Sequence, residues 1–471
     1  MPFYTRFITS KLPVFSRAYP VIYDLATFYK FAYFCDMGRS QTFALHTLGC
    51  KLNYAEGSTL SQQLINWGWM KVDFEAPSDC YIINTCSVTA QADKKCRNLV
   101  RQAKRKNPAA KIVVVGCYAQ LKPEVIANIP GVNLVLGANA KFDIEAIKSL
   151  SAEESKVAVG PIKEVNRFDP AFSQNDRTRT FLKVQDGCDY HCTFCTIPLA
   201  RGRSRSTSVE NVMISAREAI RQGAKEIVLT GVNIGDFGRS EDGRQRGTEN
   251  FLDLIQALDR LEGAERIRIS SIEPNLLHND IIDFVANSDK FMPHFHIPLQ
   301  TGVDRLLRLM RRKYDTALYR ETIEHIKTTI PDACIGADVI VGFPGETDED
   351  IRNTARFLQD LGISYLHVFT YSERQNTRAP QLEDSVPMFE RRERNYMLRN
   401  LSSRLSKEFY LNQGNKRLPV LWEDGEKEDA WFYGYTSNYV RVRRPRSGDF
   451  AGRITHEILE NYHEADGVYS I

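Results

Sequence analysis

Long apolar runs are missing where they would matter most. Residues 1–36 are rich in aromatics, yet Arg6, Lys11, Arg17, Asp24 and Lys30 interrupt every run well before the roughly 20 residues that a membrane span needs. The stretch also lacks an unbroken apolar core followed by a small-residue cleavage site, which argues against a secretory leader. Residues 1–38 are expected to form an appendage, with Met37 as an alternative start. Cysteine is sparse: ten in 471 residues cannot make a disulfide scaffold, so reduced thiols and a cytoplasmic setting are expected. Charge of one sign is missing too. Sixty-two basic against fifty-nine acidic residues leave +3, so any nucleic-acid binding must come from local patches. What is present is ordinary for a globular chain, 42% hydrophobic and 26% charged, and its length implies two to three domains.

Three of the cysteines stand in Gly187-Cys188-Asp189-Tyr190-His191-Cys192-Thr193-Phe194-Cys195. Three thiols at this spacing can hold three irons of a 4Fe–4S cube and leave the fourth open for chemistry. A structural zinc would need a fourth ligand, and the one nearby, His191, is wedged inside the loop.

Upstream, strand and helix alternate from Thr42, with a helix read over GSTLSQQLINWGW. Each of three segments runs into a cysteine: TFALHTLG into Cys50, CYIINT into Cys86 and KIVVVG into Cys117. In a parallel α/β sheet the loops beyond the strand C-termini gather at one edge, so these three are expected to converge. Periodicity alone leaves open whether they bind a metal. Cys35, Cys80, Cys96 and Cys334 are read as small buried hydrophobes.

The loop around Cys188, with its aromatic Phe194, resembles the CxxxCxxC signature of radical S-adenosylmethionine (SAM) enzymes. TLGCKLN, NTCSVTAQADKK and VVGCYAQ, in this order before that signature, resemble the three cysteine blocks of the methylthiotransferases, and the match runs from about Thr42 to the C-terminus. The resemblance implies that Cys188, Cys192 and Cys195 hold a catalytic 4Fe–4S cluster that chelates SAM and cleaves it to a 5′-deoxyadenosyl radical. It also implies that Cys50, Cys86 and Cys117 hold a second, auxiliary 4Fe–4S cluster carrying the sulfur to be inserted. Within the family, TGVNIGDFG and the cysteine blocks look most like the branch acting on N6-threonylcarbamoyladenosine at position 37 of tRNA, although NIGDFG is an uncommon form. An electron donor such as flavodoxin or ferredoxin and a sulfur donor are then required. Alternatives are the branch acting on isopentenyladenosine, the branch acting on a ribosomal protein side chain, and a non-catalytic, metal-stapled RNA-binding module.

The expected fold class is α/β in three parts: a parallel methylthiotransferase domain over 39–150, a partial (β/α)6 radical SAM barrel over 179–411, and a small antiparallel β-barrel resembling the TRAM domain over 412–471. Residues 151–178, mixed in charge and without sustained period, read as a linker. Active sites of such barrels lie at the strand C-termini. There Thr230 and Gly231 take the position where radical SAM enzymes bind the methionyl amino group, and Gly342 opens a turn, GFPGET, resembling one that receives the adenosine. Glu273, Gln300 and Asp338 are further candidates. Arg201 with Arg205 resembles the family's arginine pair, and Arg201, Arg203 and Arg205 suit a substrate carboxylate. His294 and His296 share a strand face and are read as packing residues. In the C-terminal part, Arg441, Arg443, Arg444 and Arg446 lie near Phe432, Tyr433 and Tyr439, a pairing of cations and aromatics that suits single-stranded RNA. A second basic run, Lys94 to Lys106, follows Cys86.

Overall fold

The computed structural model describes residues 41–86, 90–151, 155–174, 178–423 and 430–471, with the helical backbone alone for 90–92. The readings for 1–38, including Cys35, lie outside these residues. Thr42–Ile471 forms one compact unit.

The chain opens with a six-stranded parallel sheet, order β2-β1-β3-β4-β5-β6, built from β1 (Thr42–Thr47), β2 (Met70–Lys71), β3 (Cys80–Thr85), β4 (Lys111–Gly116), β5 (Leu134–Leu136) and β6 (Lys156–Ala158). Helix α1 (Lys51–Asn66) packs Leu60 and Leu64 with Ile82 and Val113 on one face. Helix α2 (Ala90–Lys106) packs Cys96, Val100 and Ala103 with Tyr81, Ile83, Ile112 and Val114 on the other. Strands covered on both faces must be apolar at every position, which is why CYII and IVVV read as unbroken runs. Two boundaries differ from expectation. Strand β6 forms inside the expected linker, because it pairs with β5. Helix α1 begins at Lys51, six residues before Gly57, because Leu52, Asn53, Ala55 and Glu56 all have buried partners.

Next come β7 (Arg179–Lys183), a short antiparallel pair of β8 (Gln185–Asp186) and β9 (Arg205–Ser206), then β10 (Glu226–Thr230), β11 (Arg266–Ile269), β12 (His294–His296), β13 (Cys334–Val341) and β14 (Tyr365–Thr370). The order β7-β10-β11, bridged at Ser271 and His296 to β12-β13-β14, is parallel throughout: six strands of a partial barrel. Leu182, Ile227, Leu229, Phe295, Val339 and Leu366 point outward into the helix layer, the largest core. The alternate residues point into the lumen, and many are charged. Between β7 and β14 no strand pairing is present among the described residues. Over β7, Tyr54 of α1 packs edge-on against Phe181 (5.7 Å), and Ala55 joins Phe181 and Val228 in one buried cluster.

Helix α3 (Met388–Leu411) leads to a curled six-stranded sheet, order β18-β15-β16-β17-β20-β19: β15 (Arg417–Trp422), β16 (Trp431–Thr436), β17 (Arg441–Pro445), β18 (Ile454–Ile458), β19 (Asn461–His463) and β20 (Val468–Ser470). Its pairings are antiparallel except β17 with β20. Val420, Trp422, Phe432 and Val442 fill its core.

The first sheet is joined to the barrel by ions. Glu56 on α1 is 2% exposed, and its carboxylate meets Lys141, Lys183 (3.0 Å) and Arg201 (3.0 Å). Asp186 of the barrel accepts from Lys183, Arg201 and Arg205, each at 2.9 Å. Burial works to raise the pKa of Glu56, but the charges of Arg201, Lys141 and Lys183 outweigh it and hold the carboxyl below 4.5. A carboxylate whose pKa falls on folding adds stability above its unfolded value and loses it on acidification. Glu56→Gln leaves buried cations uncompensated and is expected to cost about 3–5 kcal/mol at neutral pH. Denaturant unfolding from pH 7 to 3 should also show the wild-type advantage shrinking below about pH 4.5.

Candidate functional site

Cys50, Cys86 and Cys117 follow β1, β3 and β4, which are adjacent in the sheet, so all three emerge at one edge. Gly49, at φ +102°, lies so close to Cys86 that an added Cβ would stand 2.9 Å from its Sγ, which brings the Cys50 turn against Cys86. Cys50 and Cys117 are near enough to influence each other's charge. Burial raises the pKa of the Cys50 thiol, and Arg201 opposes it. Arg201 thus serves two groups, the Glu56–Asp186 carboxylates and these thiols. Four cations, Lys141, Lys183, Arg201 and Arg205, face two carboxylates beside the thiols. That surplus of positive charge suits a metal group bound by three thiolates. It also corrects the reading of Arg201 and Arg205 as receivers of a substrate carboxylate: both are buried and already paired, leaving only Arg203 exposed.

The loop after β7 holds Cys188, Cys192 and Cys195. Burial raises the pKa of all three, Cys195 to about 12, and each lies in the electrostatic field of another of the set. Metal binding would displace these protons. Arg312, which the sequence reading passed over, donates from Nη1 to Cys192 Sγ at 3.1 Å and from Nε to Tyr314 Oη at 3.1 Å, and its Nη2 is clamped by Glu273. Glu273 therefore reaches the cysteine loop through Arg312. Gln185, also missed, shapes the same loop. Its Nε2 donates to Gly187 O at 2.8 Å, and its Oε1 accepts from Val232 N and Asn233 N. This places Thr230–Gly231 next to the cysteine loop.

Phe194 and Cys195 line a cavity of about 210 Å³ together with Gln300, Asp338, Ile340 and Tyr371. Four of the residues singled out in the sequence thus share one concavity at the strand C-termini. Gln300 sits at φ +69°, held there by its N–H on Asp338 O (2.8 Å) and its carbonyl under Ile340 N (2.9 Å). A non-glycine residue costs about 1–3 kcal/mol in such a conformation, and this cost recurs at ligand clamps. Asp338 accepts from His296 Nε2 (2.8 Å) and His367 Nδ1 (3.2 Å). Burial pushes its pKa up, but the two imidazoles outweigh this and leave it below the ordinary value. His294, by contrast, packs on Tyr365 and Tyr439. Gly342 donates its N–H to Glu346 Oε1 (2.7 Å), and a Cβ on it would come within 2.2 Å of Arg391 Cγ. The missing side chain there makes room for Arg391.

On the C-terminal sheet, the guanidinium of Arg441 lies over Tyr433 (4.4 Å), that of Arg443 over Trp431 (4.6 Å), that of Arg444 over Phe450 (3.7 Å) and that of Arg446 over Phe432 (4.3 Å). Arg443 and Arg444 also meet Asp466 and Glu457.

A parallel six-stranded partial barrel with a three-cysteine loop after its first strand defines a radical SAM enzyme core, and this core binds SAM and a 4Fe–4S cluster. The Radical SAM superfamily model matches residues 182–358, and the model described as uncharacterized protein family UPF0004 matches residues 42–137. Threonylcarbamoyladenosine tRNA methylthiotransferase MtaB of Bacillus subtilis (strain 168) is 41% identical over 423 residues, 88% of this chain and 92% of that protein. The protein of that name from Aquifex aeolicus (strain VF5) is 37% identical over 406 residues, 85% and 96% of the two chains. tRNA-2-methylthio-N(6)-dimethylallyladenosine synthase of Endomicrobium trichonymphae is 32% identical over 386 residues, 81% and 88%. Among solved structures, the radical SAM methyltransferase TsrM from Kitasatospora setae, with cobalamin and a 4Fe–4S cluster bound, superposes with a TM-score of 0.52 at 14% identity, covering 70% of this chain and 75% of that one. The chain belongs to the radical SAM methylthiotransferase family, in its MtaB-like branch. Among the described residues no helix is long and apolar enough to cross a membrane.

Arg312 is positioned to offset charge on Cys192 when the thiol is a metal-bound thiolate. Arg312→Met is expected to reduce 5′-deoxyadenosine formation about 10–100-fold and to perturb the electron paramagnetic resonance spectrum of the reduced cluster, with Arg312→Lys intermediate. An unchanged spectrum and rate would make Arg312 a packing residue.

Proposed function

We propose that the chain inserts a methylthio group at C2 of N6-threonylcarbamoyladenosine-37 in tRNA, consuming two SAM molecules and using two 4Fe–4S clusters. The observation that carries the substrate is the 41% identity to the Bacillus subtilis relative over 88% of this chain, against 32% to the dimethylallyladenosine synthase. Cys188, Cys192 and Cys195 would hold the cluster that binds SAM, and Cys50, Cys86 and Cys117 the cluster that carries sulfur. When bound, these groups supply one-electron cleavage of SAM and a sulfur source, which replace hydrogen on a ring carbon where hydride could not leave.

The protein's own residues supply placement. Phe194, Gln300 and the Asp338 carboxylate shape a cavity against Cys195. Arg312 and Gln185 fix the cysteine loop, and the Arg201 network neutralises charge next to Cys50 and Cys117. Residue 37 lies in a loop of tRNA, so its base can enter unpaired without melting a duplex. Arg441, Arg443, Arg444 and Arg446 would meet the RNA backbone, chiefly Arg441 and Arg446, which have no carboxylate partner among the described residues. An electron donor such as flavodoxin or ferredoxin and a separate sulfur donor complete the system.

The test is mass spectrometry of digested tRNA after deletion of the gene: loss of 2-methylthio-N6-threonylcarbamoyladenosine is expected. Persistence of that nucleoside with loss of the isopentenyl counterpart would assign the other substrate. Replacing Cys50, Cys86 and Cys117 together by Ala should stop sulfur insertion and lower bound iron, while 5′-deoxyadenosine still forms. Neutralising Arg441 and Arg446 should flatten the salt dependence of tRNA binding by about 0.7 for each phosphate that is no longer neutralised.

A further inference from the structure

The barrel lumen contains several cations, and almost all are paired. Arg268 forks onto Glu226 (2.8 and 3.2 Å), Arg179 meets Glu423 (2.8 Å), and Lys183 is held between Glu56 and Asp186. The exception is Lys51, whose side chain makes no ion pair or hydrogen bond among the described residues and which is exposed. It is the first residue of α1, adjacent to Cys50. Tyr54 and Ala55, one turn further on, share its helix face and pack on Phe181 and Val228, the inward-facing residues of β7 and β10. Lys51 therefore projects from that face over the lumen, where its electrostatic neighbours are Tyr439, Arg179, Arg268 and Glu226. Glu226 is already engaged by Arg268, whose Nη1 is itself buried with no hydrogen-bond partner among the described residues. Donors and positive charge are in excess at this place.

We propose that Lys51 is a specificity-determining residue that binds the carboxylate of an N6 amino-acid substituent on the substrate adenosine. The proposal rests on the reading of the substrate given above. The position suits a substituent of the base better than a backbone phosphate, because Lys51 adjoins Cys50, one of the thiols assigned above to the cluster that carries sulfur. It faces inward, whereas a phosphate-binding residue belongs on an outer surface. An isopentenyl group would leave the ammonium unpaired and place apolar surface against it, so the same residue that attracts one substituent disfavours the other.

The experiment measures binding of reconstituted enzyme to three anticodon stem-loops that differ only at adenosine 37: threonylcarbamoyl, isopentenyl or unmodified. Wild type is expected to favour the threonylcarbamoyl form over the unmodified one by roughly ten- to a hundredfold, the range of a hydrogen bond to a charged group. Lys51→Met should bring that ratio close to one, and Lys51→Arg should retain most of it. A ratio that survives Lys51→Met overturns the role of Lys51 and leaves the substrate reading standing. A wild type that prefers the isopentenyl form, or has no preference, overturns the substrate reading and this inference with it. Equal weakening of all three stem-loops by Lys51→Met would also overturn it, since that is the signature of backbone binding or a folding defect.

Discussion

A carboxylate with three cations around it holds this molecule together. Glu56 sits on the helix that leaves the first sheet, Lys183 on the first barrel strand and Arg201 just beyond the cysteine loop, so one buried group ties three segments distant in sequence. A buried ion pair of this kind adds little net stability over apolar packing, but its geometry tolerates few alternatives. The cost of misplacing any partner is a bare charge in the interior. The network therefore acts as a registration device: it fixes the sheet edge that carries Cys50 and Cys117 relative to the barrel loop that carries Cys188. The thiols need that precision, because Arg201 is shared between the network and their field.

Much of the α/β architecture is legible in the sequence because strands buried on both faces cannot hide their character. CYIIN and KIVVV announce themselves, and each ends at a cysteine whose place at the sheet edge follows from parallel topology. The cysteine loops are legible for a different reason, since their ligands lie within a few residues of each other or at equivalent strand ends. Arg312 and Glu56 were not legible. Arg312 is one of several basic residues in RRKYD, and what singles it out is Cys192, 120 residues away in the chain. Glu56 resembles any polar residue at the start of a helix, and the early start of α1 itself was masked by Gly57, which pattern reading takes for a boundary. Local sequence carries no trace of a partner brought in by tertiary packing.

The arginines in and just after β17 show a limit of the opposite kind. The sequence displays cations beside aromatics, and the structure joins them: Arg441, Arg443 and Arg446 lie on rings of β16, and Arg444 on Phe450 in the loop after β17. A guanidinium held on a ring has less conformational freedom to lose when it meets a phosphate. Two of the four also face a carboxylate, which RNA would have to displace. The surface is thus graded: among the described residues Arg441 and Arg446 have no carboxylate to give up, and Arg446 keeps Nε and Nη2 buried.

The open flank of the barrel carries one more implication. Because α1 lies over Phe181 and Val228, the first sheet supplies a wall that the six strands do not make for themselves. A barrel without that sheet would expose those side chains and leave Lys183 and Arg201 without Glu56. A sheet without the barrel would likewise hold three thiols with no Arg201 beside them. Neither half is a module that could be moved to another protein and keep its chemistry. In this lineage the two are expected to be gained, lost and recombined as a single heritable unit, and the C-terminal sheet, despite a core of its own, is tied to that unit through Arg179–Glu423 and through Arg266 on the carbonyls of Pro419 and Tyr435.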